Sequence, residues 1–397
     1  MKYVFILGHN PKLSAAEVLA VLPKAKVVTE TSSFLIIENS KIDCEEILKQ
    51  LGGTIKIGEV VSDGIDTKII VENLKNIKVE NKLNFGLSYY DCPKDDLGME
   101  IKKELKADGV SCRLVVSRDK ALSSVVVTKN KCHEFLILEN KWLGQTCAIQ
   151  EFEEYSKRDF GRPVRDMISG SMPPKLAKIM INLAQMKKSA SILDPFCGSG
   201  TMLQEALMLG YQNVAGIDIS EKAIEDTKNN LEWLVQTYNL QPTLHASQAK
   251  RATYNLFKFD VRELFSKVSG VDAIITEPYL GPPLKGNESE EKMDDIVAEL
   301  SDLYLGAFTE FKKVLNKNGK VVIILPSFKL EDNILELSIL GEIKKMGFTQ
   351  HHLQSGRRIT SDTKSKSGAG FTQINEDKLI YSRQGQKVYR NIFVFTL

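Results

Sequence analysis

The sequence predicts an α/β protein in two parts: an α+β region in front and a doubly wound sheet behind it. Three observations carry this reading. Ser191 to Leu193 reads as a short buried strand, a glycine-rich turn follows through Gly198 and Gly200, and Met202 to Leu209 reads as a helix closed by Gly210. From Pro173 onward, helical and strand-like runs alternate, the order that builds a doubly wound sheet. The first 149 residues instead mix short strands and helices over short connections.

At 397 residues the chain can hold two or three cores. It is 43% hydrophobic and 26% charged, an ordinary balance for a protein in water. No run approaches eighteen apolar residues, so no membrane span is expected. The opening Tyr3 to Leu7 is too short for a secretory signal, is broken by His9-Asn10-Pro11, and reads as a first strand. A net charge of +2 leaves any nucleic-acid footprint local. The six cysteines form no C-x-x-C pair and are expected as free thiols in a reducing, cytoplasmic setting. Cys132-His133 with Cys147 makes a poor ligand set, and no metal is expected.

In chain order, Tyr3 to Leu7 and Phe34 to Glu38 are strands, and Ser14 with Glu17 forms a capping-box signature ahead of the helix Ala15 to Leu22. Leu83 to Tyr90 is a strand. Asp96 to Ala107 is a helix with Leu97, Ile101 and Leu105 at a spacing of four. Strands follow at Ser111 to Val116, Ser123 to Val127 and Glu134 to Leu138. Glu151 to Met172, rich in charge around Gly161 and Pro163, reads as an ordered linker. Pro173-Pro174 opens a helix whose buried stripe is Leu176, Ile179, Met180 and Leu183. Further strands are Val214 to Asp218, Tyr254 to Phe259, Ala273 to Thr276 and Lys320 to Leu325. The expected divisions are 1–65, 66–150, a linker at 151–171, and 172–397.

A strand–turn–helix unit lets backbone approach a nucleotide-like ligand beyond the carboxyl ends of the strands. A dinucleotide fingerprint needs a third glycine three residues after Gly200, where Leu203 stands. Asp194 at the strand end suits a cation better than a pyrophosphate. Asp218, 24 residues on, can accept two hydrogen bonds from ribose hydroxyls. Asp260 with the Val261 amide could hold the exocyclic amine and ring edge of adenine. Cys197 reads as a small packing residue, and the pair His351-His352 as strand or surface residues.

Asp194-Pro195-Phe196-Cys197-Gly198-Ser199-Gly200-Thr201 resembles motif I of class I methyltransferases. Thr276-Glu277-Pro278-Tyr279 stands where methyltransferases of exocyclic amines carry Asp/Asn/Ser-Pro-Pro-aromatic, with glutamate first and one proline instead of two. Together with Arg162-Pro163, Met172-Pro173-Pro174-Lys175-Leu176-Ala177 and Asn182-Leu183-Ala184, these runs resemble the THUMP-domain RNA methyltransferases, specifically those that methylate guanine N2 at position ten of tRNA.

That resemblance implies a Rossmann-like class I methyltransferase domain with a mostly parallel seven-stranded sheet. Ahead of it would come a ferredoxin-like domain at 1–65 and a THUMP-like RNA-binding domain at 66–150. It implies S-adenosylmethionine as cofactor, held by Met172, Asp194, Pro195, Phe196, Cys197, Gly198, Ser199, Gly200, Thr201, Asp218, Ile219, Asp260 and Val261. Glu277, Pro278 and Tyr279 would occupy the catalytic position, the acid accepting from the target amine and the ring stacking on the base. It implies tRNA as partner and leaves room for a small activator protein. The oligomeric state is not legible.

Two rival readings stay open: adenine-N6 methylation of RNA or DNA, and a non-catalytic RNA-binding protein keeping the fold. Carbon-5 methylation of pyrimidines would need a Pro-Cys nucleophile, and no Pro-Cys occurs. Residues 355–370 carry Arg357, Arg358, Lys364 and Lys366 against one acid, Asp362, and read either as a solvated hairpin or as a phosphate-contacting loop. Arg162 is expected to touch RNA as well.

Overall fold

The computed structural model describes the whole chain except residues 79–81, 166–171, 241–252, 331–332, 352–378 and 383–384. Met1–Phe152 forms one compact unit, and most of the chain from Glu153 on forms another.

In the first unit, β1 (Lys2–Leu7) is apolar after Lys2 because both its faces are covered. Tyr3, Phe5 and Leu7 pack with Ala15 and Val18 of α1 (Pro11–Val21), while Val4 and Ile6 meet Phe34, Ile36 and Leu136 on the other side. Proline at the first helical position starts α1, so Ser14 lies inside the helix rather than at its cap. Glu17 is buried and accepts hydrogen bonds from the Gly52 and Gly53 amides, each at 2.8 Å. It closes a turn elsewhere in the unit instead of a capping box.

The chain continues through β2 (Lys26–Glu30), β3 (Phe34–Glu38), α2 (Cys44–Gln50) and β4 (Thr54–Ser62). Asp43 caps α2 by accepting from the Glu45 and Glu46 amides. Then come α3 (Thr67–Lys75), β5 (Leu83–Tyr90), α4 (Leu97–Ala107) and β6 (Cys112–Leu114). The unit closes with α5 (Ser124–Lys129), β7 (His133–Leu138) and β8 (Trp142–Ile149). Ser123 to Val127, expected as a strand from its β-branched run, is the start of α5. The Ser123 hydroxyl caps that helix at the Val126 amide, and a cap of this kind overrides a weak β propensity.

All eight strands form one sheet in the order β2-β3-β1-β4-β8-β7-β5-β6. The β4–β8 ladder, with Ile57 opposite Ala148, crosses the boundary expected at residue 65, so 1–65 and 66–150 share one run of backbone pairing. Lys56 and Glu134 form a buried ion pair at 2.6 Å within it; Lys56 also donates to the Leu122 carbonyl, and Glu134 accepts from the Ser88 and Thr146 hydroxyls. Cys44 and Cys147 are joined in a disulfide across 103 residues, which corrects the expectation of six free thiols. Spacing alone does not reveal a pair brought together by α2 and β8.

α6 (Phe152–Phe160) starts on the last residue of the first unit and runs into the second, followed by α7 (Pro174–Leu183). The stretch expected as a linker is therefore partly helical, and it is anchored: Arg158 pairs with Glu205 at 2.6 Å, both nearly fully buried. Next come β9 (Ser191–Asp194), α8 (Thr201–Met208), β10 (Asn213–Asp218), α9 (Glu221–Tyr238) and β11 (Thr253–Lys258). A 3-10 turn (Val261–Ser266), β12 (Val271–Thr276), α10 (Glu290–Val314) and β13 (Leu315–Leu330) follow. The remaining elements are β14 (Asn333–Glu336), α11 (Leu340–Lys345), β15 (Thr349–His351), β16 (Leu379–Tyr381) and β17 (Val388–Thr396).

The seven-stranded sheet that the resemblance implies is the path β11-β10-β9-β12-β13-β17-β15, with β14 and β16 added beside β13 and β17. The five strands from β11 to β13 are parallel, and β17 inserts antiparallel between β13 and β15. The strand order reverses between β9 and β12, the place where sheets of this kind take ligands at their carboxyl ends. Leu193, Ile274, Val321 and Ile323 bury one face under Tyr304, Phe308 and Phe311 of α10. Among the described residues, no helix is long and apolar enough to cross a membrane.

Candidate functional site

The site forms where β9, β10 and β12 end. Asp194, the last residue of β9, is 3% exposed, and its Oδ1 accepts from the Thr276 hydroxyl at 2.6 Å and from the Phe196 amide at 3.2 Å. Burial pushes its carboxyl up to about 7, with Asp218 and Glu277 adding to the rise and the two hydrogen bonds opposing it.

Pro195 and Phe196 lead into a turn that needs its glycines. Gly198 has φ +51° and Gly200 φ +82°, the left-handed region, and Gly200 immediately precedes α8. A Cβ on Gly200 would lie 2.8 Å from Thr227 Cγ2, whereas one on Gly198 would point into open space. Thr227 donates to the Gly198 carbonyl at 2.7 Å, and Asn230 Nδ2 donates to the Ser199 carbonyl at 2.9 Å. Both come from α9, which braces the turn from behind. Cys197 is buried, burial pushes its thiol up, and it packs as expected.

Asp218 takes one backbone amide on each oxygen, Gly198 at 3.0 Å and Ser220 at 2.9 Å. Each oxygen keeps a further lone pair for a hydroxyl. Ile219 beside it is 67% exposed and presents an apolar flank. Asp260 caps the 3-10 turn at the Arg262 amide, and the Arg262 guanidinium holds its carboxyl below the usual range. The Val261 side chain belongs to the core, so only its backbone can face a ligand.

Thr276 continues into Glu277-Pro278-Tyr279. Glu277 Oε1 accepts from Arg390 Nε on β17 at 2.5 Å, with the two side chains 13% and 14% exposed. Burial pushes the Glu277 carboxyl up and Arg390 opposes that. Pro278 is buried, while Tyr279 is 49% exposed and its carbonyl accepts from the Tyr304 hydroxyl at 2.5 Å. Gly281, φ +93°, lets the turn lie against Ile296 and Leu300 of α10.

The structure thus brings Asp194, the glycine turn, Asp218 and Glu277 together. Met172 is buried just ahead of α7. Arg162 stands elsewhere than on an RNA-facing surface: it is 4% exposed, and its Nη1 donates to the Thr201 hydroxyl at 2.6 Å behind the turn. The hydrogen bond to Thr201, at the start of α8, anchors its guanidinium inside the fold, and sequence spacing does not report that contact. Arg357, Arg358, Lys364 and Lys366 lie outside the described residues. Sequence reading missed Thr276, Tyr304 and Arg390. For Arg390 the available signal was a cation, followed by Asn391, at the head of the apolar strand run Ile392 to Phe395.

The chain from 162 to 357 matches the UPF0020 family, described as RMKL-like, methyltransferase domain. A tRNA (guanine(10)-N2)-dimethyltransferase of Pyrococcus abyssi is 28% identical over 238 residues, 59% of this chain and 68% of that protein. One of Methanothermobacter thermautotrophicus is 35% identical over 309 residues, 75% of this chain and 83% of that protein. The crystal structure of TrmN from Thermus thermophilus superimposes with a TM-score of 0.52 at 16% identity, covering 100% of this chain and 99% of that one, a likeness of fold. With a third of the residues shared along three quarters of its length, the chain belongs to the tRNA (guanine(10)-N2)-dimethyltransferase family.

Proposed function

We propose that this protein transfers methyl groups from S-adenosylmethionine to the exocyclic N2 amine of a guanine in tRNA. The observation that carries the reading is the Thr276–Asp194 hydrogen bond, which ties the strand end bearing Glu277-Pro278-Tyr279 to the acid of the glycine turn. A cofactor subsite and an amine subsite are thereby neighbours.

The residues fit the cofactor. Gly198 leaves open space where a Cβ would stand, Asp194 and Asp218 supply anionic oxygens, and Ile219 offers an apolar flank for a purine ring. When bound, S-adenosylmethionine supplies an electrophilic methyl on a positively charged sulfur. Glu277 accepts hydrogen bonds from the target amine and orients its lone pair, and it can take the proton the nitrogen gives up. The exposed Tyr279 ring stacks on the base. Positioning of this kind supplies much of the rate. The Met1–Phe152 unit, which carries the THUMP-like pattern, is assigned to gripping the tRNA.

Incubating the protein with an unmodified tRNA transcript and S-adenosylmethionine, followed by nucleoside mass spectrometry, tests this. N2-methylguanosine or N2,N2-dimethylguanosine is expected. A methylated adenine, or no methylated nucleoside, overturns the reading.

A further inference from the structure

We propose that Arg390 is a positioning residue that holds Glu277 as an ionised, acceptor-only carboxylate, and that this selects guanine over adenine at the site. The base-selection half rests on the function proposed above; the half about the carboxylate does not.

The geometry is specific. Among the described residues, Arg390 reaches Glu277 through one Nε–Oε1 bond at 2.5 Å, which leaves Oε2 and the second lone pair of Oε1 for another partner. Arg390 comes from β17, opposite Pro326 of β13, so the contact is set by the sheet register rather than by a mobile loop. The ionisable groups facing Glu277 among the described residues are Asp194 at the end of β9, Tyr304 on α10 and Arg390. Tyr304 is held neutral by burial, and Asp194 repels a second negative charge. Arg390 is the cation of this set, and without it a buried glutamate beside an aspartate takes up a proton.

The charge matters because purine edges differ. Guanine presents two adjacent donors, N1–H and N2–H, on the edge that carries its amine. Adenine presents one donor, its N6 amine, beside the N1 lone pair. A carboxylate has acceptors only, so it pairs with both guanine donors and faces adenine N1 with a repulsive lone pair. A protonated glutamic acid carries one donor and loses that discrimination. The state of a single proton therefore separates the two bases.

Two measurements test this. The first needs no substrate: in protein labelled with 13C at the glutamate carboxyls, the Glu277 signal, assigned by its loss in Glu277→Gln, is followed by NMR across pH. Its midpoint should rise by about 1–3 pH units in Arg390→Met, and Arg390→Lys, which keeps the cation, should restore most of the change. An unchanged midpoint in Arg390→Met overturns the proposal. If that variant does not fold, Arg390→Gln gives the same comparison against Arg390→Lys.

The second measurement compares transcripts carrying guanine or 2-aminopurine at the methylated position. Both have the N2 amine, but 2-aminopurine has no N1–H. Wild type should prefer guanine by roughly tenfold or more in kcat/KM, and the preference should collapse in Arg390→Met and persist in Arg390→Lys. An equal preference in wild type and Arg390→Met overturns base selection through Arg390. If wild type leaves guanine unmethylated while the NMR midpoint shifts as expected, the function proposed above fails and the base selection with it, and the positioning of Glu277 stands.

Discussion

Thr276 donates its hydroxyl hydrogen to Asp194 across 82 residues of sequence, and both groups are shut away from water. The bond opposes the rise that burial imposes on the Asp194 carboxyl. Thr276→Val keeps the shape and removes the donor. S-adenosylmethionine affinity should fall by about tenfold at neutral pH, and by less at about pH 8.5, where Asp194 ionises regardless. Titration calorimetry at the two pH values checks this; equal losses at both would mean that Thr276 acts only through packing.

Asp194 also makes stability and ligand binding depend on pH in opposite senses. Its folded-state carboxyl stands at about 7, above the ordinary 3.8, so it contributes stability to the ligand-free protein that is fully present below about pH 4 and lost as pH rises through 7. A cationic ligand needs the ionised form, so affinity should climb by up to about tenfold per pH unit toward neutrality and then level. Thermal melts of wild type and Asp194→Asn across roughly pH 4 to 8 should converge at the acid end and separate at the neutral end, with the asparagine variant the more stable there. Parallel melting curves would remove Asp194 as the titrating group.

At Glu277 the length of the arm and the acceptor oxygen can be separated. Glu277→Ala should lower kcat by about 10²-fold or more, Glu277→Gln by less, and Glu277→Asp should also fall because the shorter carboxylate leaves Arg390. Cofactor binding should stay within about twofold in all three. A normal rate for the alanine variant would leave the turn a structural connection.

Gly200 is held in a left-handed conformation with Thr227 Cγ2 2.8 Å from where a Cβ would stand. Gly200→Ala should therefore cost about 1–3 kcal/mol and weaken cofactor binding. Adding Thr227→Ser should recover the part due to the clash and leave the part due to φ. Denaturant unfolding of the single and double variants separates the two contributions; a single variant as stable as wild type would show that the turn has relaxed elsewhere.

In the first unit, Lys56→Met strands the Glu134 carboxylate among groups arranged for an ion pair, at a cost of about 3–5 kcal/mol. Adding Glu134→Leu should return much of it. Chemical denaturation of both variants measures the difference, and additive losses would mean the pair is not coupled.

What was legible in the sequence was local. Asp194 to Thr201 announces itself because strand, turn and helix chemistry sit within a few residues of one another. The run Ser123 to Val127 is a case where the local signal was present in two forms: the serine cap outweighs the branched Val125, Val126 and Val127, and the helix forms. Contacts between distant segments were not legible. Arg158 lies in the charged stretch expected as a linker, and nothing near it in sequence points to Glu205, 47 residues on, with which it pairs. Arg390 lies 113 residues from Glu277, and only the insertion of β17 beside β13 brings them together.

The position of β17 has a consequence for how the protein is made. A growing chain that has left the ribosome as far as β15 already holds the glycine turn, Asp218 and Glu277. The long edge of β13, with Val321, Val322, Ile323 and Ile324, still lacks its antiparallel neighbour at that moment. Such an edge is prone to pair with other chains. Glu277 likewise waits for its counter-ion until Arg390 is added, so the same strand covers the open edge and completes the charge pair at once.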